Sequence, residues 1–151
     1  MHPRNAICGL LLAIAPTAEA ASPDAEPAIS RTAGDAALAW GACPDFLPAG
    51  CAIAVLHGDP SRPNADVFFK LPGRSEIPLH SHTSAERMVL VAGELEVTYQ
   101  DQAPVRLTPG AYAYGPPGRP HGGRCVSDAP CILFIAFETA VDAVPSAASS
   151  P

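Results

Sequence analysis

Basic side chains are scarce in this chain of 151 residues: Lys70 is its single lysine, and nine Lys and Arg together meet fifteen Asp and Glu for a net charge of −6. No cluster of cations exists to neutralise phosphates, so nucleic acid is excluded as a partner on charge grounds. Aromatics are few, with one Trp, three Tyr and five Phe, so base-stacking platforms are lacking too. No apolar run reaches the roughly 20 residues that a bilayer-spanning helix needs, and no stable membrane span is expected. Neither a Ser-His-Asp or Cys-His arrangement with a recognisable motif nor a phosphate-binding Gly loop appears. Helical periodicity is missing after the first twenty positions. In its place the chain carries 18 Pro and 12 Gly, which argues against long helices. With 48% hydrophobic residues it still has enough apolar surface for a core.

The first residues read as an export signal spanning 1–20. Arg4 supplies a positive start, Ala6 to Ala15 an apolar stretch, and Ala18-Glu19-Ala20 the small-x-small pattern of a cleavage site. This predicts a periplasmic or secreted protein. A flexible leader, rich in Ala, Pro, Asp and Ser, is expected over 21–36, one folded domain over 37–144 and a disordered tail over 145–151. Loss of Cys8 with the signal leaves Cys43, Cys51, Cys125 and Cys131. Four cysteines allow three pairings, and spacing favours the two local ones, Cys43 with Cys51 and Cys125 with Cys131; four unpaired, buried thiols are the alternative. An oxidising compartment permits such bonds, each worth about 2 kcal/mol by shortening the unfolded ensemble.

Within the domain, short apolar runs alternate with Gly, Pro and Asp: Ala52 to Leu56, Val67 to Leu71, Met88 to Val91, Leu95 to Tyr99, Val105 to Leu107, Ala111 to Tyr114 and Ile132 to Phe137. Each has strand length. Leu95 to Tyr99 alternates strictly and should bury one face. Val67-Phe68-Phe69 and Ile132 to Ile135 are apolar throughout and should be covered on both faces. Gly93 is expected to turn a hairpin between Val91 and Leu95. Many short strands at this spacing imply an all-β sandwich or barrel.

Four side chains carry the chemistry. His80 and His82, two apart on a strand, project from one face, as two ligands of one metal must. Glu86 follows after a Thr-Ser-Ala turn and is expected on the adjacent strand, facing the same point. His121 arrives about forty residues later, beyond a Pro116-Pro117-Gly118 corner. Three imidazoles and a carboxylate suit a divalent transition metal such as Fe, Mn, Zn, Ni or Cu. Tyr112 and Tyr114 share one strand face, where either could serve as a proton donor to substrate or simply pack. His57 fits neither group and is expected in an exposed loop, and Arg87 is expected to face away from the metal.

The stretch from Gly73 to Gly93 reads G-x6-H-x-H-x3-E-x6-G and that from Gly110 to His121 reads G-x5-P-x-G-x2-H. Together they resemble the two motifs of the cupin superfamily, with one extra residue before the first His. Trp40, Gly58-Asp59-Pro60 and Pro78-x-His80-x-His82 are similar to a group of small exported bacterial cupins. The resemblance implies a single-domain jelly-roll β-barrel holding metal on His80, His82, Glu86 and His121, and pairing of two chains through edge strands. It further implies a metal-dependent enzyme acting on a small molecule, with Glu86 and a tyrosine (Tyr112 or Tyr114) handling protons. Dioxygenase-type oxidoreduction is the frequent outcome in that superfamily; isomerase or lyase chemistry, and a non-catalytic metal or small-molecule binding protein of the cell envelope, are the alternatives. Where the pattern commonly ends in Asn, this chain has Cys125.

Overall fold

The computed structural model describes residues 26–147. The expected export signal therefore lies outside the described residues, as does most of the tail. Residues 26–30 belong to a separate N-terminal unit and carry no strand. Residues 31–36, expected to be leader, hold turns instead: the Asp35 N–H donates to the Thr32 carbonyl (3.0 Å), and the Asp35 carboxylate caps the Ala37 N–H (2.9 Å).

Eleven strands and no helix occur among the described residues. The 5-stranded sheet runs β11 (Val144–Pro145), β4 (Glu76–Ser81), β9 (His121–Cys125), β6 (Leu95–Tyr99), β7 (Val105–Leu107). Facing it, the 6-stranded sheet runs β1 (Trp40–Ala42), β2 (Ala52–His57), β3 (Ala65–Leu71), β10 (Cys131–Phe137), β5 (Glu86–Ala92), β8 (Tyr112–Gly115). All pairings are antiparallel. Non-consecutive neighbours such as β3–β10 and β9–β6 are the crossovers of a jelly roll.

The apolar runs became strands because their inward positions share one core. Leu95, Val97 and Tyr99 are buried while Glu96 and Thr98 are only half-buried, the alternation expected of β6. Val67, Phe68 and Phe69 are all buried, matching the two-sided reading of β3. Strand β10 differs. Leu133, Ile135 and Phe137 point into the core, whereas Ile132 and Phe134 are only half-buried on the outer face.

Two other expectations are corrected, and one strand had no expectation at all. Gly93, at φ +83°, does not turn a hairpin, because β5 and β6 belong to different sheets. It turns a crossover, and a Cβ there would lie 2.8 Å from the Pro130 carbonyl oxygen. The chain past Val144 is not wholly a free tail. Val144 and Pro145 pair with Ser81 and His80, and the Ser146 N–H donates to the Leu79 carbonyl (3.0 Å). Pro145 lacks an N–H, which an edge strand tolerates. Finally, β9 has no apolar run to announce it. Its Gly122 and Gly123 are required because β4 and β6 close in on either side: a Cβ would meet the Ile77 oxygen at 2.9 Å and the Glu96 oxygen at 2.6 Å.

Both local disulfides are present, Cys43–Cys51 and Cys125–Cys131, with Cα separations of 5.6 and 5.8 Å. Cys125, which stands where the family pattern commonly ends in Asn, is thus tied to Cys131. The first bridge closes the loop that brings Pro44 and Leu47 to the barrel mouth.

Candidate metal centre

Strand pairing, not sequence proximity, gathers the site. The β4–β9 ladder sets His80 opposite His121, and the β9–β6 ladder sets Tyr99 opposite His121. His82 lies just past the end of β4 but keeps the phase of His80, and both are buried while Ser81 between them is less so. The Pro116-Pro117-Gly118 corner is tied to this segment, since the Gly118 N–H donates to the His82 carbonyl (2.8 Å). Glu86 reaches the same point from β5. That strand is in the facing sheet, so the expectation of an adjacent strand is corrected.

The donor atoms of His80, His82 and His121 lie within 4.8 Å of one another, and all three rings are buried. Glu86 bridges two of them. Its Oε1 is 3.3 Å from His82 Nε2 and its Oε2 is 3.2 Å from His121 Nε2. Each ring is turned by its other nitrogen. His80 Nδ1 donates to the Pro78 carbonyl (2.8 Å), His121 Nδ1 to the Arg119 carbonyl (3.2 Å), and His82 Nδ1 to the Asp142 carbonyl. A carbonyl only accepts, so each Nδ1 carries a proton, and the inward Nε2 is the atom left to meet a cation or a second proton. Such backbone anchoring of the distal nitrogen is how metal-ligating imidazoles are held.

Two of these Nε2 atoms, those of His82 and His121, thus face carboxylate oxygens at hydrogen-bond distance. His82 Nε2 and Glu86 Oε2 make no well-aligned hydrogen bond although both are fully buried. Four acceptors converging in a dry space need a positive charge among them, a proton or a cation. Neighbouring ligands of an octahedral ion with bonds of about 2.1 Å sit roughly 3 Å apart, so spacings of 3.2 and 3.3 Å fit a metal. With no ion bound, electrostatics follow the same logic. Burial, reinforced by the His121 charge, pushes the His80 imidazole down to about 4. Burial also disfavours charge on Glu86 and His121. Their mutual hydrogen bond and attraction outweigh it, so Glu86 falls below the usual carboxylate value and His121 rises above the usual imidazole value.

The three histidines are brought together, with Glu86 beside two of them; the two tyrosines are not. Tyr112 is 59% and Tyr114 47% exposed on the outer side of β8, where Arg87 stacks within 5.9 Å of Tyr114. Their expected place beside a bound substrate is corrected, because the inward phase of β8 belongs to Ala111, Ala113 and Gly115. Arg87 faces away from the centre as expected and pairs with Glu138. His57 is exposed at the end of β2. The tyrosine that does approach is Tyr99, which the sequence reading left as plain core. Its ring centroid is 5.2 Å from that of His121, and its buried hydroxyl has no hydrogen-bond partner. Burial, then the Glu86 charge, pushes that phenol well above its ordinary value. A Cβ on Gly115 would touch both the Tyr99 hydroxyl and Glu86 Oε2 at 3.4 Å. The readable signal was its inward phase on β6 combined with the polar tip of a buried phenol.

The cluster lines a cavity of about 180 Å³ inside the barrel, whose walls also include Phe69, Leu95, Leu133 and Phe137. Residues 67–137 match the family model described as a cupin domain. Comparison with curated proteins gives no match. Among solved structures, the chain is similar to the DMSP lyase DddQ from Ruegeria pomeroyi, at 24% identity over 72% of this chain and 61% of that one, with a TM-score of 0.62. An RmlC-like cupin from Shewanella frigidimarina aligns at 23% identity over 62% and 79% of the two chains, with a TM-score of 0.53. An oxalate decarboxylase variant from Bacillus subtilis aligns at 22% identity over 62% of this chain and 26% of its own, with a TM-score of 0.54. The chain spans about three fifths of the lyase. These likenesses carry the fold.

Proposed function

Because the chain belongs to the cupin superfamily, we propose that it is a divalent-metal-dependent enzyme acting on one small molecule inside the barrel, with dioxygenase-type chemistry. The observation that carries this reading is the convergence of three buried imidazoles with a carboxylate bridging two of them, a set of side chains that suits a divalent metal. His80, His82, Glu86 and His121 would hold the ion. Bound there, Fe or Mn supplies a Lewis acid, redox capacity and coordination positions left open by four protein ligands.

The chain's own residues do the rest. The Nδ1–H bonds to Pro78, Asp142 and Arg119 hold the three rings at fixed angles. Apolar walls exclude water from the reacting end. Glu86 is placed to take or give a proton, because its two oxygens face imidazole nitrogens at 3.2 and 3.3 Å. Asp142, the other carboxylate on the cavity wall, is engaged: its Oδ1 accepts from the Thr83 N–H at 2.9 Å. A single competent base favours chemistry in which the ion does most of the work. A carboxylate so placed also supports lyase or isomerase action as a second reading. Two disulfides support a working place in an oxidising compartment outside the cytoplasm.

The test is anaerobic loading with Fe(II), then O₂ uptake with diols, thiols and β-dicarbonyls. Substrate-dependent uptake that His121→Ala abolishes is the expected result. Product formed without O₂ consumption moves the assignment to the lyase or isomerase reading. Stoichiometric ligand binding with neither outcome overturns the enzyme reading and leaves a binding protein.

A further inference from the structure

The composition of the cavity wall narrows the occupant. Twenty residues line it, and five have polar side chains. Four of the five are the converging ligands; the fifth is Asp142, already engaged by Thr83. Lys, Arg, Ser, Thr, Asn, Gln, Tyr and Trp are all missing from the lining, and the remaining wall is hydrocarbon, with Phe69, Met88, Leu95, Leu133, Ile135 and Phe137 buried against it.

Each class of small molecule meets this wall differently. A dicarboxylate can place one end at the cluster, but its second carboxylate would lie among aliphatic side chains with no cation to neutralise it, at a cost of several kcal/mol. Glu86 would repel it further. A sugar or polyol would leave hydroxyls without partners, each costing about 1–3 kcal/mol. A compact hydrocarbon body loses nothing and gains about 0.8 kcal/mol per buried CH₂. Size agrees: a dry cavity of about 150 Å³ accommodates benzene, and this one is about 180 Å³.

We infer that the occupant is an uncharged-bodied molecule about the size of one six-membered ring, or a chain of similar volume, whose oxygen donors are gathered at one end. The donor end faces His80, His82, Glu86 and His121, and the hydrocarbon end faces Phe69, Leu95 and Leu133. The inference rests on the metal reading above and adds the discrimination that the wall imposes.

The experiment uses full-length protein loaded with one equivalent of metal, with loading checked by elemental analysis and binding read by calorimetry and thermal shift, so that turnover is not needed. The probes are 2,4-pentanedione, 2,4-hexanedione and 3,5-heptanedione, set against glutarate and adipate, whose carboxylates lie at opposite ends. Affinity should rise about fourfold per added CH₂ among the diketones, which is 0.8 kcal/mol converted at 1.36 kcal/mol per decade, and glutarate should bind at least tenfold more weakly. Leu133→Ala should shift the preferred diketone to a longer chain; if that variant does not fold, Ile135→Val provides the same shift on a smaller scale. Metal bound but affinity flat with chain length, or glutarate as tight as the diketones, overturns the inference and leaves the metal site standing. Protein that takes up no metal overturns both.

Discussion

Replacing His82 by Ala separates a metal site from a merely packed cluster. The substitution removes one inward Nε2 and the Nδ1–H bond to the Asp142 carbonyl. It opens space beside an existing cavity, so in metal-free protein the cost is mainly that hydrogen bond, about 1 kcal/mol. In loaded protein the cost is larger. An ion present at a hundred times its Kd stabilises the native state by about 2.7 kcal/mol. For a folded body of roughly 120 residues, 1 kcal/mol corresponds to about 4 °C, so wild type should gain about 10 °C on loading. His82→Ala should lose most of that gain, because three remaining donors hold the ion far more weakly. The assay is a pair of melting curves for each protein, with metal and with EDTA, alongside metal content by elemental analysis. Curves that differ by about 4 °C in EDTA and by 10 °C or more with metal fit the site. A variant carrying one metal per chain, with the wild-type response to loading, would refute the assignment of His82 as a ligand.

In metal-free protein, His80 should stay neutral down to a pKa of about 4. Its depressed folded value means that the unfolded chain binds the proton first. Its contribution, about 3 kcal/mol at most, is present above the ordinary imidazole value and lost as pH falls from 6.5 toward 4. The raised value of His121 works in the opposite sense, so net stability falls by less. Urea unfolding in chelator at pH 7.5 and 4.0, with NMR titration of the imidazoles, checks both; His80 titrating at its ordinary value would contradict the burial argument. Tyr112→Phe and Tyr114→Phe should leave metal content and melting temperature unchanged, because both rings are exposed. Tyr99→Phe should leave stability unchanged or raise it by up to about 1 kcal/mol, since its hydroxyl has no partner to lose; a loss above 2 kcal/mol in urea would show that the hydroxyl is bonded. Gly123→Ala should destabilise by about 3 kcal/mol or more, because its Cβ would lie 2.6 Å from the Glu96 carbonyl oxygen, and a wild-type urea midpoint would show that β9 has more room. Removing the Cys125–Cys131 bridge by Cys131→Ser should cost about 2–3 kcal/mol, read as a difference from wild type that reductant narrows.

Much of the candidate site is local information. His80 and His82 share a face because strand side chains alternate with period two, and no distant contact is needed to predict it. The same period set the buried and wet faces of β6, and close spacing favoured the two disulfides. His121 was legible from the Pro-Gly corner before it and from the resemblance that its motif carries.

Tertiary structure decided what pairing across the barrel decides. Glu86 opposes the imidazoles from the facing sheet because β5 pairs with β10 and β8, and nothing within β5 itself specifies those neighbours. Gly122 and Gly123 form a strand without any apolar pattern because β4 and β6 leave no room for a Cβ on either side. Which tyrosine lies beside the centre likewise follows from register. Tyr99 is aligned with His121 across the β6–β9 ladder, while the phase of β8 turns Tyr112 and Tyr114 to solvent. Periodicity along a chain tells which residues share a face, but only the packing of distant strands tells which face is inside.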